Sequence, residues 1–311
     1  MEILKLNYKA LRAVLAVLVI SVSASGCTTK LAYNFLDWGL YWELKEYVKF
    51  NQDQRLLVKD EISQLINWHR RDELPRYADQ LEELSIGLES GMNVEELEFV
   101  YKNLKSSWQR IVIKTLPAAV NIISDLNDQQ VNSFFEMLIE KEVDDATDIE
   151  NGTNIRTIEE RERYVKKKIV GVIGKLNNEQ NILITRWAGS MSPTKELSLI
   201  QAIQWRTTMQ SAMADRQNKK KLKKHLIVLF ANPDQLRSAN YRQIIDKNRR
   251  LVLQLIFDLN QTLTTQQRSK LVKKLKDFVK DFRDLSNWIT LVSLKKALEL
   301  MHELFSHLWI P

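Results

Sequence analysis

Six times along the chain a capping residue stands three positions before Gln or Glu: Asn51 with Gln54, Asn93 with Glu96, Asn127 with Gln130, Asn177 with Gln180, Asn232 with Gln235 and Thr264 with Gln267. At that spacing the first side chain accepts a hydrogen bond from an orphan N–H of the opening helical turn. The second reaches back to the cap's own N–H. An apolar residue precedes every cap: Phe50, Met92, Leu126, Leu176, Ala231 and Leu263. Met92 with Leu97 and Leu126 with Val131 complete hydrophobic staples, and Pro233 occupies a first helical position, where its missing N–H costs nothing. A chain that begins a helix this often has little left for a sheet. The intervals between starts are irregular, which excludes a strict solenoid.

Between these starts, apolar periodicity predicts helices over about 52–70, 73–89, 94–115, 118–125, 128–148, 155–175, 178–188, 194–230, 233–261, 265–284 and 287–309. The low Gly count, 8 residues, agrees with helix throughout. Pro75 and Pro117 should kink or split their helices. The stretch 148–157, with Asn151 and Gly152, reads as a loop and a boundary, and the break around Gly189 to Pro193 as a second. The expected fold is all-α, an irregular multi-helix bundle of two packed halves: residues 27–150, and a basic half, 151–311.

The first residues decide placement. Lys5, Lys9 and Arg12 make a positive n-region, Ala13 to Ile20 an apolar run and Ser21 to Gly26 a small-residue exit. Together they read as a signal peptide over residues 1–26, because the apolar run falls well short of the roughly 20 residues that span a bilayer. The exit Ala24, Ser25, Gly26, Cys27 resembles a bacterial lipobox, although Ala24 stands where Leu is commonest. The resemblance implies that Cys27 carries diacylglycerol and an N-terminal acyl group such as palmitate. Two or three acyl chains exceed the single-chain limit for stable anchoring, so such a protein is held on a membrane without spanning it. Thr28 after the cysteine, rather than Asp, implies by the same resemblance the periplasmic face of the outer membrane. Ordinary cleavage leaving a free thiol, or an uncleaved anchor, is the alternative.

Cys27 is the only cysteine, so disulfides, Cys-based metal sites and a second reactive thiol are excluded. A periplasmic chain meets no ATP, and no phosphate-cradling Gly-rich loop appears. The formal net charge is +7. It is concentrated late: residues from 215 onward hold 20 basic and 9 acidic side chains, against 23 and 29 between 27 and 214.

The mature chain opens on an aromatic helix from Leu31 to Phe50, with Leu31, Phe35, Trp38 and Trp42 on one face. Aromatics at this spacing ordinarily pack into a core. The other reading lays them in the headgroup layer beside the anchor.

Tyr33, Asn34, Leu36 to Trp38, then Asp53 to Arg55, then Trp68, His69, Arg70, Glu73, Leu74, Pro75 and Tyr77 give the patterns Y-N-x-L-D-W, D-Q-R and W-H-R-x-x-E-L-P-x-Y. Along essentially the whole mature chain this resembles a family of uncharacterised proteobacterial envelope lipoproteins, known only as a domain of unknown function. The resemblance implies placement and fold, not activity. Leu263, Thr264, Gln267 and Arg268 are also similar to the L-T-x-x-Q-R motif of Spy-like periplasmic chaperones, over about six residues that capping explains on its own.

Candidate sites are few. Trp68, His69, Arg70, Glu73 and Tyr77 form the densest polar and aromatic cluster. His69 and Glu73, at i and i+4, would share a helix face and could act as an acid and base, or could simply satisfy a helix end. Glu299 and His302 have the i, i+3 spacing of di-iron bundles, but no second Glu-x-x-His accompanies them, so no metal is expected. Glu89 and Ser90 resemble the Glu-Ser of lytic transglycosylases without the Gly-rich sequence those enzymes carry downstream. A helix end at Gly91 accounts for the pair. No nucleophile elbow or Ser, His, Asp arrangement is evident.

Lys219, Lys220, Lys221, Lys223 and Lys224, flanked by Arg216 and His225, make the clearest charge run. It lacks the interleaved aromatics of a nucleic-acid surface. Anionic lipid, lipopolysaccharide, peptidoglycan or an envelope protein are the partners expected, unless the run is a solvated face offset by the acidic stretch Glu136 to Glu162. The expectation is a lipid-anchored binding or structural protein without catalytic residues, cofactor or nucleic-acid partner. A chaperone-like module and a peptidoglycan hydrolase are the alternatives. A cleft holding a buried Glu of raised pKa would favour the hydrolase.

Overall fold

The computed structural model describes residue 30, residues 33–151 and residues 157–307, with side chains as far as Asn287. The signal segment, Cys27 and the side chains of Glu299, His302 and His307 lie outside the described residues. All regular structure described is helical: α1 (Leu36–Tyr47), α2 (Gln52–Trp68), α3 (Leu74–Ser90), α4 (Val94–Ser124), α5 (Asp128–Glu150), α6 (Ile158–Ile173), α7 (Asn178–Ser190), α8 (Lys195–Ala214), α9 (Lys219–Leu226), α10 (Ala239–Gln261) and α11 (Thr265–His307). Two π-turns, His69–Glu73 and Ile227–Ala231, join α2 to α3 and extend α9. No helix of the described residues is long and apolar enough to cross a membrane.

Five of the six sequence caps form as drawn. Asn51, Asn93, Asn127 and Asn177 each accept from the backbone N–H three residues on, with the Gln or Glu bonding back. Thr264 and Gln267 do the same at α11. The sixth does not. The Asn232 side chain accepts instead from the Gln109 amide at 3.3 Å, residues Pro233–Leu236 make a 3₁₀ turn, and α10 starts later under Ser238. A further box, Thr157 with Glu160, opens α6.

The breaks expected at Pro117 and near Ser286 are absent, and one unexpected break appears. Helix α4 runs through Pro117, which lies on an exposed face where water can reach the carbonyl that the ring leaves unbonded. Helix α11 runs past Ser286, whose hydroxyl turns back onto the Arg283 carbonyl at 2.7 Å. The predicted helix 194–230 is interrupted at Asp215–Asn218. There the Arg216 guanidinium is drawn into the α4–α5 junction, donating to the Leu126 carbonyl at 2.8 Å and pairing with Asp128 at 2.5 Å. Asn218 then caps α9 by accepting from the Lys221 N–H.

The core is assembled from distant stretches. Leu116 and Val120 of α4 and Phe135 and Leu138 of α5 pack with Trp205 and Met209 of α8 and with Leu222 and Leu226 of α9. Val58 and Ile62 of α2 and Leu74 and Tyr77 meet Val279 and Phe282 of α11. Each large aliphatic so buried contributes roughly 1.5–3 kcal/mol. Lys30 is tied to α11 through Asp284 at 2.5 Å and Asp281 at 3.5 Å.

Helix α1 overturns the expectation that its aromatic face is core. Phe35, Trp38 and Trp42 are 60%, 66% and 46% exposed, and no residue of the helix is fully buried. The helix has a second apolar side, and Leu36 and Leu40 turn that side toward the core.

Candidate functional site

The predicted cluster sits on the first π-turn. Pro75 has no N–H to offer the helix. One turn earlier the hydrogen bonds widen, so that the Leu74 N–H reaches the His69 carbonyl five residues back. The helix is therefore continuous through Arg71 rather than split, but His69 and Glu73 are not partners. Arg110 of α4 takes both oxygens of Glu73, Nε to Oε1 at 2.7 Å and Nη2 to Oε2 at 2.8 Å, and also donates to Ser107 Oγ at 3.0 Å. Glu73 is only 1% exposed. The bond to its carboxylate raises the Arg110 pKa and holds the guanidinium charged in this forked contact.

His69 looks the other way. Its Nδ1 lies 2.7 Å from the Tyr33 hydroxyl, while Nε2 is buried without a protein partner in either tautomer. Burial lowers its pKa to about 4, against the opposing pull of Glu73, so the ring is neutral near pH 7. Tyr77 packs edge-on to His69 at 5.4 Å. Burial pushes the Tyr33 and Tyr77 phenols up, and both stay protonated. Arg70 lies over the Tyr33 ring at 5.0 Å and donates to Asn34 at 3.0 Å. Trp68 stands at the edge of the cluster with Lys114 5.8 Å over its ring.

The second π-turn was not legible in the sequence. It is closed by the Asn232 N–H on the Ile227 carbonyl at 3.1 Å. Its carbonyls are taken by indoles: Trp108 Nε1 donates to Phe230 at 2.9 Å and Trp205 Nε1 to Leu229 at 3.3 Å.

Between the two π-turns lies a cavity of about 710 Å³. His69 and Leu74 form part of its wall on one side, Leu226 and Phe230 on another, and α1 contributes Leu36 and Leu40. Helices α4 and α2 supply most of the remainder, Val112, Leu116, Val58 and Ile62 among it, with exposed Gln64, Lys114 and Asn121 and half-exposed Glu61 where the wall meets solvent. A half-open apolar cleft of this size with a few polar groups at its margin is the ordinary form of a small-molecule site.

The lysine run crowns α9. Leu222 and Leu226 are buried beneath it, whereas Lys220, Lys223 and Lys224 are exposed. Its balancing charge is not the acidic stretch. Lys221 pairs with Asp215 at 2.8 Å, and Lys219 donates to Asn121 at 3.1 Å, on the cavity margin. The acidic residues serve elsewhere: Arg206 Nε lies 2.9 Å from both oxygens of Glu142, and Lys195 binds Asp145. Burial raises the Glu142 pKa, but that carboxyl is committed to Arg206 and does not line the cavity. Ser90 donates to the Gly87 carbonyl, and Gly91 closes α3 at φ 97°, so the Glu89–Ser90 pair marks a helix end. Among the described residues no group of three His, Cys, Asp or Glu could hold a metal.

Residues 46–242, more than half of the chain, match a family of unknown function, DUF6279. The chain belongs to that family. The stretch shared with the family contains both π-turns and the basic helix but only the last two residues of α1 and none of α11, a shorter span than the whole-chain resemblance expected. No curated protein and no solved structure matches the chain. Of the site residues, Arg110 was missed by sequence reasoning; the one available signal was a lone cation beside the apolar run Ile111–Ile113.

Proposed function

We propose that this chain is a lipid-anchored protein of the bacterial envelope, held through Cys27 on the periplasmic face of the outer membrane, whose role is to bind an apolar ligand rather than to catalyse a reaction. The cavity between the π-turns carries this reading. Its lining is mostly aliphatic and aromatic; of its titratable side chains His69 is neutral and bonded to Tyr33, Glu61 and Lys114 stand where the wall meets solvent, and the buried carboxylate of Glu73 behind it is held by Arg110. A carboxylate held in a forked salt bridge is a poor proton carrier, and an uncharged imidazole inside an apolar wall costs little beside a ligand without charge.

Two measurements test it. Mass spectrometry of the terminal peptide of protein purified from membranes should find acyl chains on Cys27, and Cys27→Ser should release the protein from the membrane fraction. The uncharged dye N-phenyl-1-naphthylamine should brighten on binding and should lose that signal when Val112 is replaced by Trp. An unmodified Cys27 thiol defeats the anchoring, and a dye signal indifferent to Val112→Trp defeats the cavity as the binding site.

A further inference from the structure

We propose that the cavity takes one acyl chain of an anionic membrane lipid, with the charged head held at the margin formed by Lys114, Asn121 and Lys219. The inference rests on the apolar-binding reading above and names the ligand class.

Shape argues first. The lining residues run from Leu36 through Leu44 of α1 to Val48 just past its end, and on α4 from Trp108 to Ile123. At about 1.5 Å of rise per residue the cavity follows α1 for roughly 12 Å and α4 for roughly 22 Å. A space long in one direction and apolar along its length suits a linear chain better than a compact ring system.

Charge argues second. The margin carries one carboxylate, Glu61 of α2, and against it Lys114, exposed above the Trp68 ring, and Asn121, which joins the cavity wall to Lys219 through a 3.1 Å hydrogen bond. Beyond Lys219 follow the exposed ammonium groups of Lys220, Lys223 and Lys224 on the same short helix, while Leu222 and Leu226 of that helix are buried and Leu226 reaches the cavity wall. One helix thus offers aliphatic wall on its inner side and cations on its outer side. That is the arrangement an acyl chain ending in a phosphate needs.

Placement argues third. Helix α1 covers part of the cavity with Leu36, Leu40 and Leu44, and presents Phe35, Trp38 and Trp42 outward. Exposed tryptophans on the outside of such a roof are the side chains favoured at a bilayer interface. A lipid passing beneath α1 would then leave one apolar surface for another.

The test uses the full-length processed protein in solution with vesicles of phosphatidylcholine containing a trace of fluorescent phosphatidylglycerol. Uptake saturating at one lipid per chain is expected. Val112→Trp should abolish it, and Lys114→Glu and Lys219→Glu should each weaken it about fivefold, from roughly one cation's share at an anionic surface. Far-UV circular dichroism checks that Val112→Trp folds; if it does not, the two exposed lysine variants decide. Loss of the fivefold effects in 1 M salt supports a charged head at the margin. Three results overturn the proposal: no uptake, uptake unchanged by the lysine variants, or saturable binding of free palmitate with none of phosphatidylglycerol. Binding of N-phenyl-1-naphthylamine without uptake of the lipid would leave an apolar site standing and remove only the lipid.

Discussion

The side-chain amides of Gln180 and Gln267 donate to one another across 87 residues of sequence, Gln180 Nε2 to Gln267 Oε1 at 2.9 Å and Gln267 Nε2 to Gln180 Oε1 at 3.0 Å. Each oxygen also accepts from the backbone N–H of its own helix cap, Asn177 or Thr264. The remaining protons go to backbone carbonyls, Thr262 for Gln180 and Lys175 for Gln267. The same clasp recurs at Gln54 and Gln130, which exchange bonds at 3.3 and 2.7 Å and reach the carbonyls of Asp125 and Lys49. All four glutamines are buried. A capping glutamine here therefore fastens two helix starts together as well as closing its own.

Gln54→Ala should cost about 2 kcal/mol, because it opens a cap and leaves the Gln130 amide and the Asp125 carbonyl short of partners inside the protein. Urea denaturation measures it. Gln130→Ala should cost a similar amount, and the double variant should cost less than the sum of the two, since either change alone already breaks the clasp.

Glu73→Gln should destabilise by about 3 kcal/mol or more, by leaving the Arg110 fork without its counter-charge. Replacing both, as Glu73→Leu with Arg110→Met, should recover much of that loss. Thermal melts of the single and double variants check the order.

His69 gives stability an acid limb. Its pKa near 4 in the folded protein lies below the ordinary value of about 6.5, so the unfolded chain binds the proton more readily between those pH values. Stability from this group is complete above about pH 6.5 and is lost as pH falls toward 4, by up to about 3 kcal/mol. Urea midpoints across pH 4–7 should fall on acidification for the native protein and flatten in His69→Gln.

Ser238→Ala should cost about 1 kcal/mol, since Ser238 caps α10 by accepting from the Tyr241 N–H at 3.1 Å. Gln235→Ala should cost a few tenths at most, because Gln235 caps nothing. The opposite ranking in denaturant titrations would return the helix start to Asn232.

These cases show what sequence could and could not say. A cap is a contact between residues three apart, so Asn51, Asn93, Asn127, Asn177 and Thr264 were readable without any knowledge of the fold. Which glutamine met which was not, because the partner lies 76 or 87 residues away. Asn232 failed for the same reason in reverse: Gln109, 123 residues distant, claimed its side chain. The aromatic side of α1 misled because apolar periodicity locates a face but does not say which of two faces has a neighbour. The cluster around His69 was legible as a set of residues, whereas the locking of Glu73 depended on Arg110.

The π-turns each insert one surplus residue into an otherwise regular helix. Deleting a single residue from His69–Glu73 would restore ordinary winding, because the surplus residue is taken up within the turn and the helices on either side keep their faces. What would close is the wide turn itself, where the Leu74 N–H reaches the His69 carbonyl five residues back and His69 stands in the chamber wall. Among related chains, gain or loss of one position at this joint would reshape that wall without turning either helix.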